Sequence, residues 1–587
     1  MAHRFDVWAP RAGSAEVVLA DGRRHPLAPS SPPGWLAADV DDAGPGTDYG
    51  FSLDGGPALP DPRSPWQPGG PDGPSRVVDH GAFGWTDRAW RGIHLPAAVV
   101  YEIHVGTFSP EGTFEGAIGR LDHLVDLGIT AVEVMPVAEF PGPRGWGYDG
   151  VDLYAPHHAY GGPEALKRLI DACHQRGLGV ILDVVYNHLG PAGNYLDRYG
   201  PYFTDRHQTP WGQAVNFEGP GSDEVRRYFV DNALMWLGDY HCDGLRLDAV
   251  HAIVDTSAVH VLEQLADEVA RLAAATGVPR WLIAESDLND PRLVRPPLAG
   301  GYGLDAQWSD DFHHAVHALL TGERSGYYAD FGTVEDLGTA LQHAYVYAGR
   351  YSAHRERSHG RPATGLPGWA FLGYSQNHDQ VGNRATGERS AALLSPGRVR
   401  VAAALVLTAP FVPLLFQGEE WAASTPFQYF TSHPDAELGR AVSEGRRREF
   451  SAFGWDPSDV PDPQDLATFE RSVLDWSEPT HAEHRAVLDW YRELIALRRR
   501  DPDLTDGRLD RVGFARAGEA AFSVRRGSLV VAVNIGPGRA VVPLRPDAQG
   551  HESGAPARIL LASDESCRLT DGGAELGPDS VAVVRSR

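Results

Sequence analysis

The chain has little cysteine: three residues in 587, Cys173, Cys242 and Cys567, far apart and with no Cys-x-x-Cys pair. This argues against a disulfide framework or a zinc ribbon. Positive charge is also scarce, Lys+Arg 52 against Asp+Glu 78, for a net charge of -26. Neither nucleic acid nor an anionic membrane is therefore expected as a partner. Long apolar runs are missing. The most apolar stretch, residues 399–416, contains Arg400, Pro410 and Pro413, which break a membrane helix but suit a buried helix followed by a buried strand. The start, Met1-Ala2-His3-Arg4-Phe5-Asp6, lacks the apolar core of a secretory signal. A soluble, cytoplasmic protein is expected.

At this length two to four domains are expected. Residues 1–90 alternate short strands (Phe5-Asp6-Val7-Trp8-Ala9, Ala15-Glu16-Val17-Val18-Leu19, Trp35-Leu36-Ala37-Ala38, Tyr49-Gly50-Phe51-Ser52-Leu53) with Gly, Pro and Asp clusters, the pattern of a small immunoglobulin-like β-sandwich. Over 91–500 the period changes to strand, helix, strand. Val99-Val100-Tyr101-Glu102-Ile103 reads as a strand, and Phe114, Ile118, Leu121 and Val125 fall on one face of a helix. Ala131-Val132-Glu133-Val134-Met135 is the next strand; then Pro163 opens a helix carrying Leu166, Leu169, Ile170 and Cys173, ending near Gly177. Further strands near Ile181, Leu245, Ile283, 304–308, Phe371 and Leu414 bring the count to eight. Alternating βα units of that number predict a (β/α)8 TIM barrel. Residues 189–222, rich in Gly, Tyr and Pro, break the period as an enlarged loop after the third strand. From 501 to 587 strands return, predicting a closing β-domain.

Four segments place acidic and imidazole groups where these strands end: Asp183 to His188, Arg246 to Asp248, Glu285, and Gln376 to Asp379. This is the layout of a polar site at the C-terminal rim of a parallel barrel. Arg246 and Asp248, two apart, share a face, and a guanidinium beside a carboxylate favours the ionised form a nucleophile needs. Glu285 ends an apolar strand, where burial keeps a carboxyl protonated as a general acid. One ionised carboxylate with one protonated carboxyl is a glycosidase pair. Asp379, read as lying on a later strand, could stabilise an oxocarbenium-like transition state, while His188 and His378 would offer neutral donors and acceptors to hydroxyls. Taken singly, Asp183 reads as a strand-end cap, Asn187-His188 as a turn and Arg246 with Asp248 as a structural ion pair; their joint placement on one barrel is what points to catalysis. Flanking glycines predict exposure of Trp146 and Tyr148, whose rings could stack on a pyranose.

No metal and no organic cofactor are expected. No His-Glu-x-x-His helix occurs, and His157-His158, His313-His314 and His481-x-x-His484 have no supporting cysteine.

These segments resemble the glycoside hydrolase family 13 (α-amylase) superfamily over nearly the whole chain. The resemblance implies Asp248 as nucleophile, Glu285 as general acid/base and Asp379 as transition-state stabiliser, with Tyr148, His188, Arg246 and His378 around the sugar whose bond is cut. A narrower resemblance, to the maltooligosyltrehalose trehalohydrolases, is carried by Leu59-Pro60-Asp61-Pro62-Arg63-Ser64, by residues 305–314 (DAQWSDDFHH) and 377–384 (NHDQVGNR), by 418–421 with 426–430, and by 444–450. His251-Ala252 stands where common α-amylases carry Lys-His, and the loop after the third strand is shorter than a calcium-binding amylase domain; no structural calcium is expected. The resemblance implies that Asp310, Asp311, His313, Gln380 and Asn383, with His251, serve the leaving-group side. It implies an α-glucan oligosaccharide with a terminal trehalose as substrate, and functional pairing with a maltooligosyltrehalose synthase. A glycogen branching enzyme and a non-catalytic glucan-binding protein are the alternatives.

Overall fold

The computed structural model describes residues 2–452, 456, 459–544 and 557–586; nothing is described of the side chains at 449–452, so the string 444–450 ends outside the described side chains. Eight parallel strands close into a barrel: β1 (Val100–Ile103), β2 (Ala131–Val134), β3 (Gly179–Val184), β4 (Gly244–Leu247), β5 (Trp281–Ala284), β6 (Ala306–Trp308), β7 (Phe371–Gly373) and β8 (Val412–Phe416). They run in chain order, and β8 pairs with β1. The expected barrel is present.

Alternation along each strand divides the side chains into two sets. Val100, Ala131, Ile181, Ile283, Ala306, Trp308, Leu372, Val412 and Leu414 pack together in the barrel interior, while Tyr101, Val132, Leu182 and Leu245 join the larger core under the helices. Glu102, Glu133, Asp183 and Arg246 occupy the interior set too, two residues after small or apolar partners. Packing thus fills the lower layers with hydrocarbon and the upper ones with charge.

The N-terminal end of the barrel is plugged by Ile93 and Leu95, which join the interior cluster. Trp90 ahead of them stacks on His174 at 4.6 Å, and its Nε1 donates to Asp243 Oδ1 at 2.7 Å. The helix opened by Pro163 spans Gly162–Gln175 and buries Leu166, Leu169, Ile170 and Cys173. The expected helix through Phe114 and Val125 is instead two, Phe114–Ile118 and Leu121–Leu127. The break at Gly119 resets the register, so Leu124 and Leu127 are buried and Val125 is 40% exposed.

Ahead of the barrel lie two antiparallel sheets, one of three strands (His3–Trp8, Trp35–Val40, Ala28–Pro29) and one of five built on Ala15–Leu19 and Asp48–Leu53. Their buried Phe5, Val17 and Phe51 are continuous with the barrel's outer core. After the helix Ala482–Arg500 come a five-stranded and a three-stranded antiparallel sheet. Between β3 and the helix Ser222–Gly238, a hairpin (Phe203–Thr209 with Gly212–Val215) reaches over the rim. No helix among the described residues is long and apolar enough to cross a membrane.

Leu95 is fully buried in the plug. Leu95→Ala is predicted to lower unfolding free energy by about 2–5 kcal/mol, measured by denaturant titration; a loss below about 1 kcal/mol would mean the plug does not bear on the barrel.

Candidate active site

Arg246 is the centre. It is fully buried on β4, and its Nη1 donates to Asp183 Oδ1 and Oδ2, each at 3.0 Å, and to Asp248 Oδ1 at 2.7 Å. Nη2 lies 3.7 Å from Glu285 Oε2. The guanidinium carbon sits 4.3 Å from the Trp308 ring centroid, so a π face covers the cation on one side. One guanidinium therefore reaches carboxyls from β3, β4 and β5.

Asp248 follows β4 directly. Its Oδ2 accepts from Asn187 Nδ2 at 2.7 Å, and Asn187 also holds the Asp248 carbonyl. Burial pushes this carboxyl up, but Arg246, His188 and the Asn187 amide outweigh it and hold Asp248 below the usual range. The next residue, Ala249, has φ 38°, a left-handed conformation costly for a residue with a Cβ. That turn aims the Ala249 N–H at Glu285 Oε2, 2.7 Å away. Burial carries Glu285 above its ordinary range, Arg246 opposing and Asp248 adding to the rise. The two carboxyls are pushed in opposite directions, as an acid and a nucleophile require.

Asp379 departs from the expectation. It lies not on a strand but in the short helix His378–Gly382, beyond β7, whose start is capped by Asn377 and Gln380. A helix there turns Asp379 over the rim, with its side chain 42% exposed. His378 also differs from the neutral group expected. Its Nδ1 lies 2.5 Å from Glu102 Oε1 and its Nε2 2.8 Å from Tyr148 Oη. Burial lowers its pKa, yet Glu102 and Asp379 prevail and raise it to about 9. His188 is the neutral one, lowered by burial. Tyr148 donates to Asp183 Oδ2 at 2.7 Å. Trp146 is only 4% exposed, packed with Met135, Val381, Phe416, Phe427 and Phe430; its flanking glycines serve close packing, since a Cβ on Gly147 would meet the Pro136 carbonyl.

Among the residues expected on the leaving-group side, Asp310 accepts from Tyr374 Oη at 2.5 Å, and burial together with nearby Glu285 raises it to about 8. Asn383 donates to Asp379 Oδ1 at 3.3 Å and accepts from Arg446. Gln380 caps the Asn377 N–H, and His251 is exposed beyond β4. Asp311 and His313 are both buried and held by protein groups. Asp311 Oδ2 is held by the Asn289 side chain and the backbone N–H groups of Val346 and Tyr347, fixing a loop. His313 is fully buried, with its ring nitrogens on Ser375 O and Tyr328 Oη.

The sequence reading missed Trp211, 49% exposed at the hairpin tip and stacked on His188 at 4.4 Å; its neighbours are Pro210 and Gly212, turn residues in place of the two glycines that flank Trp146. It also missed Glu102 and Glu133, although an acidic residue inside a buried strand is itself a flag. Among the described residues, one cluster has metal-ligand spacing: Glu139, His157 and His158, with ligand atoms within 4.8 Å of one another. Both imidazoles reach Glu139 Oε1 through Nδ1, at 3.0 and 2.8 Å, a set that hydrogen bonding accounts for.

Replacing Arg246 with Gln leaves Asp183, Asp248 and Glu285 buried without their cation. A cost of about 3–5 kcal/mol is predicted from denaturant unfolding; an unchanged midpoint would show that the carboxyls do not depend on it.

Residues 76–210 match the alpha amylase catalytic domain family. A malto-oligosyltrehalose trehalohydrolase from Arthrobacter ramosus is 53% identical, with all of both chains covered. One from Mycobacterium tuberculosis is 47% identical over 99% of each. The crystal structure of a Salmonella typhimurium protein described as an alpha amylase superposes with a TM-score of 0.89 at 40% identity, covering 99% of this chain and 97% of that one. A polar rim built on Arg246, Asp248 and Glu285, on a closed eight-stranded barrel with this end-to-end likeness, places the chain in the malto-oligosyltrehalose trehalohydrolase family of α-amylase-type glycosidases.

Proposed function

We propose that the protein is a retaining glycosidase that cuts the α-1,4 bond next to the terminal trehalose of maltooligosyltrehalose and releases trehalose. The observation that carries the reaction is the opposed perturbation of Asp248 and Glu285 around one guanidinium. The trehalose leaving group rests on the end-to-end likeness to trehalohydrolases.

In this reading Asp248 attacks the anomeric carbon while the Glu285 carboxyl gives its proton to the departing glycosidic oxygen, so trehalose leaves with an intact hydroxyl. Water, deprotonated by Glu285, then displaces Asp248 from the glycosyl-enzyme and restores both groups. Asp379 faces the positive charge that develops on the ring. Tyr148, His188, Arg246 and His378 hold the sugar whose bond is cut; Trp211 offers a further stacking face. Asp310, held protonated beside Tyr374, is a donor for a hydroxyl on the leaving-group side, a side that the reading also gives to His251, Gln380 and Asn383. The reading also takes residues 1–90 as a glucan-binding-type module, 91–500 as the catalytic unit and 501–587 as a closing β-domain. It places the enzyme in the cytoplasm beside a synthase that makes the trehalose-ended chain.

Incubation with maltotriosyltrehalose is predicted to release free trehalose, and Asp248→Ala to cut the rate by about 10⁴-fold or more. New α-1,6 linkages from amylose would make it a branching enzyme instead; turnover of no glucan would leave a binding protein.

The pH dependence follows from the two shifts. Asp248 must be ionised, so kcat/KM falls only below the usual carboxylate pKa of about 4. Glu285 must be protonated, so activity is lost as pH rises through its elevated pKa. A profile whose alkaline limb is unmoved in Glu285→Gln would assign that limb to another group.

A further inference from the structure

Beneath the rim, Glu102 on β1 and Glu133 on β2 stand directly across from each other in the strand register. Both are buried, yet their surroundings differ. Glu133 has no hydrogen-bond partner on either oxygen. Glu102 meets His378 twice, through Nδ1 at 2.5 Å and through the backbone N–H at 3.1 Å.

Proton counting along this contact fixes directions. An ionised Glu102 can only accept, so His378 Nδ1 carries a proton. Tyr148 has one O–H and directs it to Asp183 Oδ2, which Arg246 holds as an acceptor. Tyr148 Oη must then accept from His378 Nε2, which needs a proton as well. Both ring nitrogens are donors only in the imidazolium. The groups facing His378 are Glu102, Glu133, Asp183, Arg246, Asp379, Tyr148 and His104. Arg246 and His104 oppose its charge, and Glu102 is the carboxylate in direct contact with Nδ1.

We propose that Glu102 is a positioning residue for the reaction: it keeps His378 as an imidazolium, and thereby sets the Tyr148 hydroxyl toward Asp183 and leaves a fixed positive charge beneath the rim. Glu133 plays the opposite part. Burial, with Glu102 and Asp183 nearby, drives it well above the usual range, so it stands as a neutral acid that fills the layer without adding charge. When Glu102 loses its charge, Nε2 gives up its proton, Tyr148 turns to His378, and Asp183 loses a donor.

The catalytic part of this proposal rests on the hydrolase reading above, so its test has a readout without substrate. In the full chain with ¹⁵N-labelled histidine, the His378 signal, assigned by its loss in His378→Asn, is predicted to be that of an imidazolium at pH 7.5. In Glu102→Gln the same ring is predicted to be neutral at pH 7.5 and to titrate about 2–3 pH units lower. Trehalose release by Glu102→Gln is expected to approach wild type near pH 5.5 and to fall away as pH rises to 8. Glu133→Gln, which replaces a neutral acid with a neutral amide, is expected to leave the His378 signal in place. An imidazolium that survives in Glu102→Gln overturns the proposal, as does an equal rate loss at all pH values. If trehalose is never released, the histidine spectrum still decides the role of Glu102.

Discussion

The site depends on one buried guanidinium. Asp183, Asp248, Glu285, Asp310, Asp379, Glu102 and Glu133 crowd the upper barrel, with Arg246 and His378 as cations among them. Carboxyls that close together cannot all ionise. At Asp248, where Arg246 is joined by His188 and the Asn187 amide, the charge stays; at Asp183, which Arg246 also touches, burial with Asp248 nearby carries the carboxyl up to about 7. Where Arg246 is a more distant neighbour, at Glu285, burial wins. Asp248 and Glu285 lie 2.7 and 3.7 Å from that cation, and the His188 ring and Asn187 amide on the Asp248 side complete the division into nucleophile and acid.

The backbone enforces that difference. Asn187, from the loop after β3, pins Asp248 by side chain and carbonyl, and Ala249 adopts a left-handed turn that brings its N–H to Glu285. Strain at a residue with a Cβ persists only where surrounding contacts over-determine it. Here the Glu285 carbonyl also holds the Val250 N–H, and the Glu285 N–H holds the Leu247 carbonyl.

The barrel was legible because buried strands between helices read as apolar runs at a regular period. The rim was legible wherever a charged residue directly ended such a run, as at Arg246, Asp248 and Glu285. Asp379 was placed on a strand because the apolar run of β7 precedes it; the intervening Ser375, Gln376 and Asn377 in fact turn the chain into a capped helix. Trp146 and Trp211 show the limit of local signals. Both lie beside glycine, yet one packs into a buried cluster and the other reaches over the rim, a difference set by tertiary contacts. Asp311 and His313 match a family string, but Asp311 is held by Asn289 and loop backbone and His313 by the Ser375 carbonyl and the Tyr328 hydroxyl; a string does not say which way a helix turns its side chains. Glu102 and Glu133 were passed over because their strands read as uniformly buried.

The central claim is that Arg246 sorts the carboxyls so that Asp248 attacks and Glu285 protonates. Its most direct test is the stereochemistry of the sugar that carries the new reducing end. Two successive displacements through Asp248 retain configuration. Proton NMR in the first moments of maltotriosyltrehalose cleavage is predicted to show the α-anomer of the released maltooligosaccharide, equilibrating later. First appearance of the β-anomer would mean that water, not Asp248, attacks, and would contradict the account.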